Sequence, residues 1–476
     1  MGKHLLRPIL IFLFASLTGC ATVGPDYVPP KTSVPGDWHA PLQGGLTPEE
    51  MAPQTLASWW KTLKDPELSS LMERAVKGNL DLKGAMARVR EARARRMVAN
   101  ADLSPTLDVT GTARANRSRV EGSNGSGTYN RSLTFDSNWE LDLFGGVRRS
   151  IEASEADLGA SREDLRDVLV SLLSEVALGY IDVRTYQARI EVAESNIKIL
   201  EETYDITRYR MQAGLTTQLD VEQALYNLES GRSQVPALRT GLEQAKNRLA
   251  VLLGENPGGI HSELEKGGPI PVTPVKVAVG LPADLLRRRP DIRRAERELA
   301  AQTARVGVAV ADLYPKLSLT GSIGLETLST DSLLSTGIRT YTMGLGPGIT
   351  WPIFHAGAIR KNIEVQNALQ EQAMIKYESA VHSALEEVEN GLVAFAQEQI
   401  RREALGKAAE AARRAVEMAR DKYRSGLIDF SELLDSQRSL LSLEDQLTQS
   451  EGTVTSDLVR LYKALGGGWT PMAASG

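Results

Sequence analysis

The sequence predicts a mainly α-helical fold with a membrane-embedded β part, in which three chains contribute four strands each to a trimeric 12-stranded β-barrel that continues into a long α-helical tunnel. Three observations predict it. Short stretches of two-residue alternation run directly into very long heptad patterns, and the whole arrangement occurs twice in the chain. Four strands are also too few to close a barrel alone.

Composition excludes several classes of protein. The 476 residues carry 55 Lys and Arg against 60 Asp and Glu, so the chain lacks the excess of positive charge that is typical of nucleic-acid-binding proteins. One cysteine excludes an intrachain disulfide and a cysteine-rich metal site, and the five histidines are scattered. Nucleophile-elbow, phosphate-loop and dinucleotide-binding motifs are missing from the sequence. We therefore expect no catalytic residue, cofactor or metal, and no enzyme.

Residues 1–20 are predicted to be a lipoprotein signal peptide. Lys3 and Arg7 charge its start, an apolar core follows, and Leu-Thr-Gly-Cys closes it at Cys20. This ending resembles the bacterial lipobox, in which the cysteine is acylated, by palmitate among other chains, and becomes the mature N-terminus. Ala21 in place of an aspartate favours the outer membrane. The alternative is an ordinary signal peptide with a chance cysteine.

Residues 21–64 are rich in proline and are predicted to be an extended linker, wrapped or loose, whose end is docked by Trp59 and Trp60. The first repeat, 65–254, opens with Asp65 as the N-cap of a helix that should run to about Leu103.

A β-hairpin is predicted over 105–143. Between Leu133 and Leu143 almost all odd positions are apolar and all even positions are polar, which places the two sets on opposite faces of a strand. The polar set is expected to line a barrel lumen, and its members are Asp108, Thr110, Asp136, Asn138 and Glu140. The apolar set would meet lipid, with Trp139, Tyr341 and Trp351 at the interface. The alternative is a soluble sandwich that uses the apolar faces as its core.

A long helix over 147–211 follows the hairpin. Apolar residues recur every seven positions from Leu169 to Met211, with companions four residues earlier, and no proline interrupts them. A short tip at Gly214-Leu215 leads into a second helix from about Gln218 to Leu253. At 1.5 Å per residue the long helix spans about 100 Å.

The chain then repeats itself. A midpoint linker rich in Pro and Gly is predicted over 255–285, and the second repeat over 286–465, followed by a tail at 466–476. Residues 311–321 match 101–111 at seven of eleven positions. The second repeat again reads as helix, β-hairpin (316–353), long helix (356–424), tip and helix.

Several motifs support a family resemblance. They are Gly24-Pro25-Asp26-Tyr27, Trp59-Trp60, Leu80-Asp81-Leu82, Ala87 to Ala92, Leu281 to Arg293 and Ala464 to Trp469. The chain resembles the TolC/OprM-type outer-membrane factors, most closely the NodT subfamily of RND efflux lipoproteins. The resemblance implies a homotrimer anchored in outer-membrane lipid with its tunnel in the periplasm. It also implies a periplasmic membrane-fusion adaptor and an inner-membrane RND transporter as partners, with small molecules such as drugs passing through unchanged.

The same resemblance assigns two sites near the tips. Adaptor docking is expected at Met211, Gly214, Leu215, Thr216, Tyr423, Gly426 and Leu427. A closed tunnel gate is expected at Glu417, Asp421 and Arg424. For Gly214 and Gly426 the alternative to a docking role is a plain left-handed cap at the end of a helix. For Glu417, Asp421 and Arg424 the alternative to a gate is a helix face exposed to solvent. Arg287-Arg288-Arg289 is interpreted as caps and ion pairs at a helix start.

Two other functions remain open at this point. In the same fold, the chain could serve as the outer-membrane duct of a type I protein secretion system. From another class, it could be a soluble periplasmic coiled-coil scaffold. A neighbouring RND pump gene distinguishes the first from efflux, and membrane fractionation of the wild type and of Cys20→Ala tests the second.

Overall fold

A computed structural model describes residues 22–50, 52–118, 121–122, 126–274, 276–330, 332–334 and 336–469. The predicted signal peptide and Cys20 lie outside these residues. The chain divides into two compact units. We call Met1–Lys31, Arg88–Arg162 and Arg294–Glu378 the strand unit, and Thr32–Ala87, Glu163–Arg293 and Ser379–Gly476 the helical unit. Of the described helices, none combines the length and apolar character needed to cross a membrane.

The regular elements alternate as the two-fold repeat requires. In chain order they are β1 (Leu46–Thr47), α1 (Pro53–Ala57), a 3-10 turn (Trp59–Leu63), α2 (Pro66–Gly78), α3 (Leu80–Ala101), β2 (Thr106–Ser118), β3 (Ser126–Leu141), α4 (Gly146–Gln212), α5 (Gln218–Leu252), β4 (Val277–Ala278), α6 (Pro282–Arg288), α7 (Pro290–Ala311), β5 (Lys316–Ser329), β6 (Ile338–Thr350), α8 (Ala358–Arg424) and α9 (Phe430–Ala464). The long helices α4 and α8 have 67 residues each.

The strand unit is built on one antiparallel sheet with the order β2-β3-β5-β6. The two hairpins pair with each other through β3 and β5. Even-numbered residues oppose even-numbered residues across all three pairs, as in the row Asp108, Asp136, Ser322 and Gly344. One face therefore collects all the even positions and the other all the odd ones.

The start of the described chain lies firmly against the strand unit. The Val23 amide donates to the Phe144 carbonyl at 3.0 Å. The buried Arg149 guanidinium donates to the carbonyl of Val23 (3.1 Å) and to the Asp26 carboxylate (2.7 Å). Residues 22–31, which we call the strap, are thus wrapped rather than loose.

The helical unit buries a heptad stripe of α8. The apolar residues of α8 that recur at multiples of seven positions within this unit are all buried, namely Val381, Val388, Phe395, Ala409, Val416 and Tyr423. Near the tip of α4 the predicted companion positions Ala193 and Leu200 are buried. The predicted positions Ile190, Ile197 and Tyr204 are only half-buried, and the polar residues Asn196, Thr203 and Thr207 are buried instead. Polar members are tolerated because they are hydrogen-bonded: Gln437 Nε2 donates to Thr203 Oγ1 at 2.7 Å.

The tryptophan pair also lies in this unit. Trp59 is 1% exposed and stacks on Tyr462 with ring centroids 5.5 Å apart, whereas Trp60 remains half-buried. A parallel two-residue pairing joins β1 to β4, and Trp38 Nε1 donates to the Gly280 carbonyl at 2.8 Å. The Pro-rich segment before Trp59 is therefore fastened to the midpoint linker.

The single helix predicted from Asp65 to about Leu103 is wrong, because Asn79 divides it into α2 and α3. The Asn79 backbone leaves the helical region (ψ 134°), and its Oδ1 accepts from the Leu82 amide at 2.9 Å as the cap of α3. The backbone at Leu253 packs directly against Gly78, so closely that a Cβ on Gly78 would lie 2.0 Å from the Leu253 carbonyl oxygen. This contact sets the position of the break.

A matching break separates α6 from α7 at Arg289. Its buried guanidinium donates to Asp291 Oδ2 (2.7 Å), Glu387 Oε2 (2.7 Å) and the Ala464 carbonyl (2.9 Å). Burial raises the pKa of Asp291, but the hydrogen bonds and the charge of Arg289, together with backbone hydrogen bonds such as that from the Ile292 amide, outweigh burial and hold that pKa below its usual range. The neighbouring Arg288 pairs with Glu50. Arg288 and Arg289 thus form ion pairs around a helix start, as interpreted from the sequence.

Candidate functional site: the polar sheet face and the helix tips

The even-numbered face of the sheet is mainly polar, with Leu328 and Ile338 as its one apolar pair, next to the second hairpin turn. Asp108 lies directly opposite Asp136, and Asn138 lies opposite Thr320. Thr110 and Glu140, also predicted for the lumen, occupy even positions and oppose Thr134 and Ser318. Two like charges directly opposite each other cost stability in a sheet unless water solvates them. This face is therefore suited to line an aqueous space.

The odd-numbered face is apolar and uncovered within one chain. Val109, Phe135, Ile323, Tyr341 and Met343 all have exposed side chains, and Met343 is 84% exposed. The two tryptophans predicted for the interface occupy equivalent places in the two repeats: Trp139 Nε1 donates to the Leu103 carbonyl (2.9 Å) and Trp351 Nε1 to the Leu313 carbonyl (3.1 Å). Contiguous apolar surface of this kind marks contact with lipid or protein.

The two tips adopt the same turn. The Gly214 amide donates to the Met211 carbonyl (2.9 Å) and the Leu215 amide to the Arg210 carbonyl (2.8 Å). The matching amides of Gly426 and Leu427 bond to the carbonyls of Tyr423 (3.0 Å) and Lys422 (2.8 Å). Both glycines have φ +71°. Each long helix therefore ends in a Schellman motif that requires glycine at its left-handed position.

The leucine of each turn points outward. In this motif the residue after the glycine often packs against the last helical turn, but Leu215 is 66% and Leu427 is 74% exposed. Thr216 is held in place because its Oγ1 donates to Asp220 Oδ2 at 2.5 Å, beside a capping box formed by Thr217 and Asp220. An apolar side chain on a fixed turn is thus offered at both tips.

Tyr423, which the sequence grouped with these surface residues, is only 3% exposed. It packs against Phe430, and its hydroxyl lies 3.4 Å from Thr207 Oγ1. Its side chain therefore supports the second tip from inside. Met211, on the last turn of α4, is half-buried.

Arg210 fastens the end of α8 to α4. Its Nη1 donates to the Tyr423 carbonyl at 2.6 Å and to the Arg424 carbonyl at 3.3 Å, and its guanidinium lies 4.7 Å from the centroid of the Tyr423 ring. The sequence analysis did not assign this role to Arg210, because nothing local signals that its partners are two carbonyls on another helix.

The three predicted gate residues form one exposed stripe on α8. Glu417, Asp421 and Arg424 are spaced four and three apart, which aligns them on one helix face. Within the described residues none of their side chains is hydrogen-bonded or ion-paired in a single chain. The stripe lies beside the buried Tyr423 that Arg210 fixes.

Comparison with known proteins identifies the family. The model of the family described as outer membrane efflux protein matches residues 71–255 and again 281–467. Nodulation protein T of Rhizobium leguminosarum bv. trifolii is 31% identical over 98% of both chains. The toluene efflux pump outer membrane protein TtgI of Pseudomonas putida is 32% identical over 98% of both chains.

A solved structure of the outer-membrane channel OprN superposes with a TM-score of 0.86, at 36% identity, over 95% of this chain and 100% of that one. The resemblance predicted from the sequence is confirmed, and the fold is that of the outer-membrane efflux channels. With both of its repeats matched, this chain belongs to the outer membrane efflux protein family.

Proposed function

We propose that three copies of this chain close a twelve-stranded barrel and form the passive outer-membrane exit duct of a tripartite efflux pump. The observation that carries the proposal is a four-stranded sheet with one mainly polar face, one apolar face with exposed side chains, and two outer strands, β2 and β6, whose outer edges pair with no other described strand. Small molecules such as drugs would pass along the polar face. A relative named for toluene efflux supports a cargo of this size.

The need for further copies follows from the edges of the sheet. Four strands are half of the smallest barrel, so the outer edges of β2 and β6 must pair with other copies or lie open. Pairing β6 of one chain with β2 of the next gives twelve strands after three copies. The even-numbered residues then surround water and the odd-numbered ones contact lipid.

The tips are the proposed docking surface for a periplasmic membrane-fusion adaptor that links the duct to an inner-membrane RND transporter. The exposed Leu215 and Leu427 are apolar anchors on glycine turns of fixed geometry, and such anchors dominate binding energy when a partner buries them. Gly214, Gly426, Thr216 and Met211 hold or flank the turns, while Tyr423 supports one of them from inside.

Glu417, Asp421 and Arg424 are the proposed gate. Three copies of an unpaired charged stripe, brought around one axis, would narrow the duct and repel or pair with one another. The stripe can move only if the end of α8 moves, and Arg210 opposes that movement within each chain.

Acylation of Cys20 is the proposed anchor. Only Ala21 lies between Cys20 and Thr22, where the described strap begins. The strap is fixed by Arg149 beside the strand-to-helix junction. Acyl chains carried there would enter the leaflet next to that junction, and two or more chains give stable anchoring.

Reconstitution of the purified full chain in planar lipid bilayers tests the proposal. We expect a stable pore from material that elutes as a trimer, without any energy source. A monomer that conducts no current, with the odd-numbered strand residues protected from lipid-soluble labels, would refute it.

A further inference from the structure

The apolar face of the sheet carries charge at one end only. Among the described odd-numbered strand residues, the charged ones are Arg117, Arg131 and Arg339, and all three lie in the half of the sheet next to the hairpin turns. No Asp or Glu occupies an odd position of these described strands. The acidic strand residues are on the even face and are Asp108, Asp136, Glu140 and Glu326. This end of the apolar face is therefore purely basic.

Two of these arginines belong to one row of the sheet. Arg131 lies opposite Thr327, and Thr327 lies opposite Arg339. Neighbouring strands are about 4.8 Å apart, so the two arginine Cα atoms are separated by about 10 Å. The short Thr327 side chain between them leaves a shallow gap with a guanidinium on either side. Arg339 is exposed to solvent. Arg131 is half-buried and already takes part in an interaction with another residue of the same chain.

The height of this row is set by the apolar band below it. From Ile349 to Arg339 the strand β6 advances ten residues, which is about 33 Å along the strand and about 25 Å across a membrane at a tilt of about 40°. The outward apolar band of a membrane barrel is about 25 Å tall. The arginine row therefore falls at the level of lipid headgroups, just beyond the hydrocarbon.

We propose that Arg131, Thr327 and Arg339 form a binding site for the phosphorylated disaccharide headgroup of lipid A. The inference rests on the proposed function, in which the hairpin turns lie outside the cell and the row meets the outer leaflet. Guanidinium groups bind phosphate through paired, charge-assisted hydrogen bonds. Two guanidiniums spaced across one strand suit a headgroup that carries two phosphates better than one that carries a single phosphate.

The test measures binding of defined lipids to the full-length trimer in phosphatidylcholine nanodiscs. The probes are diphosphorylated lipid A, the same lipid without its phosphates, and phosphatidylglycerol, each titrated and counted by native mass spectrometry. The variant is Arg131→Gln with Arg339→Gln. The matched control is Arg114→Gln, because Arg114 is one residue from the same level but on the even, lumen face.

We expect the wild type to prefer diphosphorylated lipid A to both other lipids. Two surface arginines near anionic lipid contribute about 1 kcal/mol each, so the double variant should bind lipid A about thirtyfold more weakly. Arg114→Gln should bind like the wild type. Equal binding of the dephosphorylated lipid, equal binding of phosphatidylglycerol, or an equal loss in the Arg114 control would overturn the proposal.

The phosphate comparison uses the wild-type protein alone, so it decides the question even if the double variant does not assemble. Pore conductance separates this inference from the proposed function. A double variant that conducts normally and loses lipid A selectivity supports the site. A wild type that conducts normally and shows no phosphate preference leaves the duct intact and refutes the site.

Discussion

Replacing Arg210 by Met should loosen the end of α8 and open the duct. The guanidinium makes two hydrogen bonds to carbonyls of α8 and stacks on the Tyr423 ring, whereas methionine keeps the apolar stem and loses all three contacts. A hydrogen bond from a charged donor contributes about 1.5–3 kcal/mol, and an exposed cation–π contact about 0.5–1 kcal/mol. The second hydrogen bond is long and the side chain is half-buried, so we take about 2 kcal/mol per chain as the net loss.

A loss of about 2 kcal/mol raises the population of the released state about thirtyfold in each chain. Single-channel recording in planar bilayers measures it as a larger conductance or a longer open time. Hydrogen exchange gives an independent readout, because the Gly426 and Leu427 amides are bonded within the turn that Arg210 supports. Both amides should exchange faster in Arg210→Met.

Arg208→Met is the matched control. Arg208 lies two residues away on the same helix, but its partners among the described residues are Asp205, Tyr204 and Tyr209 of that helix, so it does not join α4 to a second helix there. We expect its conductance and amide exchange to match those of the wild type. If Arg210→Met behaves like Arg208→Met, Arg210 does not restrain the tip and the reasoning fails.

Three further predictions concern the body of the chain. Gly24→Ala should release the strap, because residue 24 has a φ of +87° and the new Cβ would lie 2.4 Å from the Gly307 Cα. Limited proteolysis near the N-terminus should then become faster. An unchanged rate would contradict the close approach of the two glycines. Asn79→Ala should lower stability by about 1–2 kcal/mol through the lost cap of Leu82, measured as a lower thermal midpoint of the trimer. Asn79→Asp can keep that cap but loses the hydrogen bond that Asn79 Nδ2 donates to the Leu252 carbonyl (2.9 Å), so it should recover only part of the loss. The pKa of Asp291 is lowered in the folded state, so its contribution to stability is complete above its ordinary pKa and is lost as pH falls through the folded pKa. In Asp291→Asn the thermal midpoint should therefore fall less steeply with falling pH than in the wild type. An equal fall in both proteins would show that Asp291 does not contribute.

The parts of the fold that depend on local pattern could be predicted from the sequence. Two-residue alternation gives the strands, the heptad of α8 gives the buried stripe from Val381 to Tyr423, and Gly-Leu after each long helix gives the turns. The break at Asn79 could not be predicted, because the residues on both sides have helical periodicity. Its causes are an Asn side chain that caps Leu82 and a backbone contact between Gly78 and Leu253.

The polar stripe near the tip of α4 was missed for a related reason. Thr203 and Thr207 interrupt the apolar pattern, and a sequence pattern does not reveal that Gln437 and Tyr423 satisfy their hydroxyls from two other helices. Such satisfied polar groups are compatible with burial, but only the three-dimensional partners make them so. The contact of Arg210 at the tip was missed for the same reason, since it and the Gln437–Thr203 hydrogen bond both join residues more than 200 positions apart.

The two tips also differ from each other at one position. Arg210 and Lys422 both supply the carbonyl that closes the turn of their repeat, so the repeat places them equivalently. Arg210 reaches across to two carbonyls at the end of α8, whereas Lys422 is exposed on the surface. A planar guanidinium can hold two carbonyls and a ring at once, and a lysine ammonium on a flexible stem cannot reproduce that geometry. The repeat thus gives both tips the same turn. Arg210 holds the end of α8, whereas within the described residues Lys422 makes no matching hydrogen bond to the end of α4, so we expect loss of Arg210 to affect the end of α8 first.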